Sequence, residues 1–390
     1  MPPLSRRIPL VAVLSLVVSL PSTRAAAPST TLVSAQPPAG VLPVSVENER
    51  QAAVRRACDW LVANQHADGS WSDTNYPALT ALPLWALARS GDPSRKPVMD
   101  KAVAFILGCV QEDGGIYRNM PGKKGGGLSN YNSAICMTAL YETGDKALIP
   151  VILKARGFVA AAQHLGDDIY SGGFGYDAST GRAYTDLLNT FYTVQALRLT
   201  AGAEDSRPAG ERRTDIDWAA AITFIERMQN TEAAGREKGG FFYNPTDATK
   251  GGATTNGQGV VTFRSYGSMT YSGMLALIYA NISRDDYRVR SAFDWAAANW
   301  TLDENPGMGS QGLYFFYAVL SRALSAFGQD LVPRPEAKPV NWRVAVAEKI
   351  ISLQKVDPKT GGYWINDNNR FWENDPVLVT SYALLALESL

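Results

Sequence analysis

Two textures of hydrophobic patterning alternate along this 390-residue chain. In the stretch "ERQAAVRRACDWLVANQ", Ala53, Ala57, Trp60, Leu61 and Asn64 recur at three- and four-residue spacing, with Arg55, Arg56 and Asp59 on the other side. One apolar stripe and one wet face predict a helix that buries a single side. The second texture runs through "ALTALPLWALA", "YNSAICMTALY", "YTDLLNTFYTVQAL", "SMTYSGMLALIYA", "QGLYFFYAVLSRAL" and "PVLVTSYALLALESL". These segments are apolar on almost every face, and their few polar residues are mostly small and gathered near the start. A helix apolar all round is buried on both sides. Six wet-faced helices outside and six greasy ones inside, in two concentric rings, satisfy both patterns.

A short phrase punctuates the alternation. Glutamine, a turn, glycine and an aromatic follow the amphipathic helices at Gln65, Gln111, Gln163, Gln229 and Gln354, and Asn299 stands at the matching point of "FDWAAANW". Steps of 46, 52, 66, 70 and 55 residues between these positions mark a repeat architecture. The glycines that follow (Gly69, Gly114, Gly172, Gly239, Gly307 and Gly361) can adopt the left-handed conformation that closes a helix. The aromatics Trp71, Tyr117, Phe174, Phe241 and Trp364 can then cover the turn. The glutamine amide is expected to bond the carbonyls left free at the helix end. On this reading the phrase is structural, a staple from the outer ring to the inner one.

This order of glutamine, glycine and aromatic resembles the Q-W repeats of the terpenoid-cyclase and protein-prenyltransferase superfamily, over residues 47–390. The resemblance implies an all-α fold: an α/α toroid, a six-hairpin double ring of about 12 helices. Cyclases of the squalene–hopene type carry a D-x-D-D-T acid motif at the start of an inner helix. The matching stretch here, "DLLNT", keeps Asp186 and Thr190 but has Leu188 in place of the proton-donating middle acid and Asn189 in place of the last. Protein prenyltransferases place a zinc-binding histidine where this chain has Val379. A thioester would need glutamine three residues after Cys109, where Glu112 stands. The only histidines are His66 and His164, with no Cys/His cluster at ligand spacing, so neither a metal nor a cofactor is expected.

In such a toroid the inner helices begin at one mouth of a central cavity, and residues at those starts are its expected lining. The candidate catalytic groups are Asp186, read as an acid inside an otherwise apolar helix where an unpaired charge is costly, and Glu373 with Asp375. The candidate substrate-binding residues are Tyr131, Tyr184, Asn189, Tyr266, Tyr271, Asp303, Glu304 and Trp372. Aromatic faces stabilise carbocations or stack on sugar rings, and carboxyls in dry surroundings have raised pKa values suited to giving a proton. Asp375, directly before Pro376, equally fits the N-cap of a helix.

Charge and the N-terminus refine the picture. The 37 basic and 37 acidic residues balance, and no basic stripe stands out, which argues against nucleic acid as a partner. Cys58, Cys109 and Cys136 lie among apolar residues and read as small buried hydrophobes. Arg6 and Arg7, the apolar run Ile8 to Leu20 and the small residues up to Ala27 predict a secretory signal over residues 1–25. A disordered linker over 26–46, rich in Pro, Ser, Thr and Ala, would follow, then the toroid over 47–390. The expected protein is therefore secreted or periplasmic. It is terpene-cyclase-like and binds a hydrophobic isoprenoid or lipid in its cavity, and a peripheral membrane contact is compatible with that ligand. The degenerate acid motif leaves catalysis open. The alternative is a non-catalytic toroid that takes a glycan, a peptide or a partner protein at its mouth.

Overall fold

The computed structural model describes residues 41–120, 127–177, 184–233 and 235–390, all within the unit Ala39–Leu390. The expected signal segment lies outside them, and so does most of the expected linker. The first helix, α1 (Val44–Ala63), starts three residues before the expected toroid boundary.

The greasy segments form one set of helices: α2 (Ala78–Arg89), α4 (Ser129–Glu142), α6 (Leu187–Leu199), α8 (Gly267–Tyr279), α10 (Leu313–Phe327) and α12 (Pro376–Leu387). Each packs on the next, and α12 returns to α2, which closes a ring of six. Around it lie α1 (Val44–Ala63), α3 (Lys96–Leu107), α5 (Ile149–Ala161), α7 (Trp218–Arg227), α9 (Tyr287–Ala298) and α11 (Trp342–Ser352). Three two-stranded antiparallel hairpins, which the periodicity did not predict, sit in the connections: β1 (Ala253–Thr255) with β2 (Val261–Phe263), β3 (Leu331–Arg334) with β4 (Ala337–Asn341), and β5 (Lys355–Asp357) with β6 (Gly361–Tyr363). No helix of the described residues is long and apolar enough to cross a membrane.

The repeated phrase holds the double ring together, though not in the way the sequence suggested. The glutamine does not serve its own helix end. Gln65 donates to the carbonyls of Gly69 and of Val98 in α3, at 3.0 and 2.9 Å. Gln163 reaches Asp217, the N-cap of α7; Gln229 reaches Arg288 in α9; Gln354 reaches Ala53 in α1. Each of these four amides thus reaches the next outer helix, three of them at its N-cap or first turn and Gln354 in the middle of α1. A glutamine is long enough for this. The shorter Asn299 bonds the Trp295 carbonyl of its own helix, and Gln111 stays within its own turn.

The tie to the inner ring comes from the aromatic position. The backbone N–H of Trp71, Phe174, Phe241 and Trp364 donates to the hydroxyl of Thr80, Thr190, Thr270 and Thr380, one turn inside an inner helix. In the second unit Ile116, not the expected Tyr117, takes this place and donates to Ser133. The small polar residues near each greasy helix start are therefore acceptors for turn amides that burial would otherwise strand. The indoles of Trp71 and Trp364 take the role expected of the glutamine, and donate to the Leu61 and Ile350 carbonyls near the ends of α1 and α11.

Candidate functional site

The inner helices begin at one end of the ring, and several lack a side chain of their own to cap them. Pro77, Tyr266 and Gly312 occupy the N-cap positions of α2, α8 and α10. Neighbouring units supply the missing acceptors. Asn132 accepts from the Ala78 N–H, Asn305 from the Ser268 N–H, and Glu373 from the N–H groups of Tyr314 and Phe315 at 3.0 and 2.8 Å. The first turns of the inner ring are thus locked to one another.

Between these first turns lies a cavity of about 580 Å³, within the size range of small-molecule sites. Its wall is largely aromatic. Tyr131, Tyr192 and Tyr382 form one cluster of it: Tyr131 and Tyr192 meet edge to face at 5.3 Å, and the Tyr192 and Tyr382 hydroxyls are 3.4 Å apart. Burial raises the pKa of all three phenols, so they stay neutral. Phe315 packs against Tyr192 and Tyr382 at 6.1 and 5.6 Å. Tyr176, Tyr243 and Tyr266 line another part of the wall. Leu188, in place of the acid that the cyclase resemblance would require, also faces the cavity and brings no proton to it.

The mouth is shaped by the segment Arg370 to Glu373. Phe371 and Trp372 both lie in the left-handed backbone region, at φ 62° and 66°. Two successive bulky residues there are outliers, each costing about 1–3 kcal/mol, and they persist because their surroundings over-determine them. Arg370 donates to the Thr249 carbonyl at 2.8 Å and to the Gln311 side chain at 2.5 Å. Behind the aromatics Glu373 is buried, held by the α10 amides and by the Asn366 amide at 2.7 Å. The segment is therefore fastened at both ends, and its two aromatics sit partly exposed over the cavity, Trp372 edge-on to Tyr76 at 5.1 Å. Lys250 completes the rim, with its ammonium 5.0 Å from the Phe371 ring centre and 5.5 Å from that of Tyr243.

The three candidate acids fall into different places. Asp186 is not inside its helix. It is the N-cap of α6, extended at φ −144°, and its carboxylate accepts from the Asn189 N–H at 2.8 Å and the Asn189 side-chain amide at 2.7 Å. Its charge is therefore not unpaired, which removes the reason for singling it out. Burial still raises its pKa to about 6, against the pull of the Asn189 bonds, the Tyr243 hydroxyl and Lys250. It lies behind the tyrosines and is not part of the cavity wall. Asp375 is the N-cap of α12, bonded to the Val377 N–H at 2.9 Å and to the Ser72 hydroxyl, also off the wall. Glu373 alone lines the cavity. Burial pushes its pKa up, against the opposing pull of the Phe315 amide, Asn366 and the Tyr314 amide. Both its oxygens are engaged, one by the Tyr314 and Phe315 N–H groups and the other by Asn366.

Of the candidate binding residues, Tyr131, Tyr266 and Trp372 line the cavity. The others do not. Tyr184 donates to Asp247 at 2.9 Å outside the wall, and the Asn189 side-chain amide donates to Asp186, also off the wall. Tyr271 is buried between α8 and α10, against Phe316 at 5.8 Å. Asp303 and Glu304 are exposed away from the cavity, and Lys349 pairs with Asp303 at 2.6 Å and holds its carboxyl below the usual range. Sequence reasoning missed Tyr192, Tyr382, Lys250 and Arg370. Tyr192 and Tyr382 each lie one turn after a wall residue, Leu188 and Leu378, and that spacing could have found them. Among the described residues no group of His, Cys, Asp and Glu side chains is placed to hold a metal ion, and the three cysteines are free and buried.

No family model matches the chain, and no curated protein matches it. Solved structures do. The α-1,6-mannanase GH76A of Salegentibacter sp. HEL1_6, described as a variant inactivated at two consecutive aspartates in complex with α-1,6-mannotriose, is 12% identical over 87% of this chain and 98% of its own, with a TM-score of 0.53. The type II terpene cyclase MstE from Scytonema, in complex with its substrate geranylgeranyl dihydroxybenzoate, is 12% identical over 89% of this chain and 98% of its own, also with a TM-score of 0.53. The fold is an α/α toroid. At these identities the likeness reaches no further than the fold, and the same toroid serves a glycan-cleaving enzyme and a terpene cyclase equally well.

The Asp186 cap makes a pH prediction. A carboxyl whose pKa in the fold is about 6, above its ordinary 3.8, stabilises the fold most when protonated. That contribution is full below about pH 4 and is lost as the pH rises through about 6. Asp186→Asn keeps an acceptor oxygen for the Asn189 N–H and carries no charge. It is expected to gain on the wild type by about 3 kcal/mol between about pH 4 and pH 8. Denaturant midpoints of both proteins across that range check this, and a constant difference would mean that Asp186 titrates as an ordinary carboxyl.

Proposed function

We propose that this protein binds a hydrophobic small molecule of the isoprenoid or lipid class in the central cavity, as a binding or carrier protein, not as a cyclase. One observation carries the reading: the inner ring leaves about 580 Å³ open and walls it with tyrosine, phenylalanine, leucine and methionine. A toroid whose centre served only as core would fill that space with its own side chains, since interiors are packed close to crystal density. Against cyclisation stands the chemistry of the wall. Among the described residues Glu373 is its single carboxyl, and the α10 amides and Asn366 occupy it. Leu188 stands where a proton donor would be needed. Export to the cell exterior or periplasm, inferred from the N-terminal sequence, fits a carrier that meets its lipid outside the cytoplasm.

The exposed Phe371 and Trp372 favour a second reading, in which a sugar ring stacks at the mouth. A titration separates the two. Farnesol is expected to quench the tyrosine and tryptophan fluorescence saturably, and Leu188→Trp, which narrows the cavity, to weaken its binding by about tenfold or more. Saturable binding of an oligosaccharide with none of farnesol would move the site to the rim.

A further inference from the structure

The cavity is apolar in its depth but not at its mouth. Lys250 Nζ and Arg370 Cζ each lie 5.0 Å from the centre of the same Phe371 ring, which puts the two cations within 10 Å of each other. Both line the cavity, and neither takes part in an ion pair among the described residues. Arg370 is held by the neutral acceptors Gln311 and Thr249. Lys250 is partly buried, which lowers its pKa, and Arg370 repels it. Asp186 and Asp247 attract it, but neither forms an ion pair with it: Asp186 caps α6, and Asp247 accepts from the Tyr184 hydroxyl and the Thr249 N–H. Glu373 is likewise taken up by the α10 amides and Asn366.

Two like charges within 10 Å of each other at the edge of an apolar cavity repel each other, and Lys250 is partly desolvated. An anion between them would relieve both costs. We propose that Lys250 and Arg370 form an anion subsite, and that the ligand is an amphiphile with a carboxylate or phosphate head at the rim and its apolar chain among the tyrosines below. This rests on the reading that the cavity takes a hydrophobic chain, and goes beyond it by assigning the head group and the residues that hold it. Phe371 and Trp372, pinned in the left-handed region, would cover the junction of head and chain.

Three probes with one chain test it: farnesol, farnesoic acid and farnesyl monophosphate, each titrated against the full-length protein. At low salt one or both anions are expected to bind roughly tenfold to a hundredfold tighter than farnesol, as suits charge-assisted hydrogen bonds. A gain for both assigns the subsite to anions in general, and a gain for the monophosphate alone to phosphate. The double variant Lys250→Met/Arg370→Gln should close the gap to about threefold, and molar salt should narrow it in the wild type. The salt series needs no variant, so a failure of the double variant to fold leaves the test intact. Equal binding of alcohol and anions by the wild type would overturn the anion subsite and leave the hydrophobic cavity standing. A gap that survives in the double variant would also overturn it. Binding of none of the three would sink both.

Discussion

Alanine at Gly172 is expected to destabilise the protein by about 2–5 kcal/mol, a large share of the stability of an ordinary domain. Gly172 sits in the repeated turn at φ +93°, and a Cβ there would lie 2.0 Å from the Ala220 carbonyl oxygen and 2.5 Å from its carbon. Both atoms belong to the first turn of α7 and cannot swing aside as a side chain could. Left-handed strain contributes about 1–2 kcal/mol and forced repacking about 1–3 kcal/mol. Gly210→Ala is the control, because Gly210 has the same backbone sign, φ +90°, but nothing within 4 Å. It should lose only the strain energy. Urea midpoints of the two variants separate the effects, and equal losses would mean that the turn does not buttress the next outer helix.

The second large effect is expected at Glu373. Removing its carboxylate in Glu373→Ala strands the Tyr314 and Phe315 N–H groups and the Asn366 amide in a buried place, at about 1–3 kcal/mol for each group left without a partner. Relief of the strained Phe371–Trp372 backbone and of the buried charge offsets part of this, so a net loss of about 2–4 kcal/mol is expected. Glu373→Gln keeps one acceptor oxygen and should lose less, about 1 kcal/mol, because its new N–H₂ faces the Asn366 amide donor to donor. Both variants loosen the segment over the mouth, so farnesol affinity should fall in the order wild type, Gln, Ala. A fall in affinity without any loss of stability would mean that Glu373 touches the ligand directly.

The ring was legible because each inner helix is apolar on all sides and each outer one on a single side, and such patterns survive without knowledge of partners. The glycines were legible for the same reason: positive φ is a local demand. The destination of the glutamines was not. Val98, Asp217, Arg288 and Ala53 lie 33 to 301 residues from the amides that reach them. The cations at the mouth were hidden in the same way, since Arg370 reaches back 121 residues to the Thr249 carbonyl, next to Lys250. Asp186 misled because a buried acid beside an apolar helix looks costly until its backbone is seen to be extended and its oxygens filled by Asn189. In this chain the fold is written in local pattern, and the site in contacts between units.

The most direct measurement is native mass spectrometry, with lipid extraction, of the protein purified from its own host. The account predicts a co-purifying isoprenoid or lipid, with an acidic head group, that is lost from the Leu188→Trp variant. An empty cavity in the wild type, with glycan fragments or a partner chain retained instead, would contradict it.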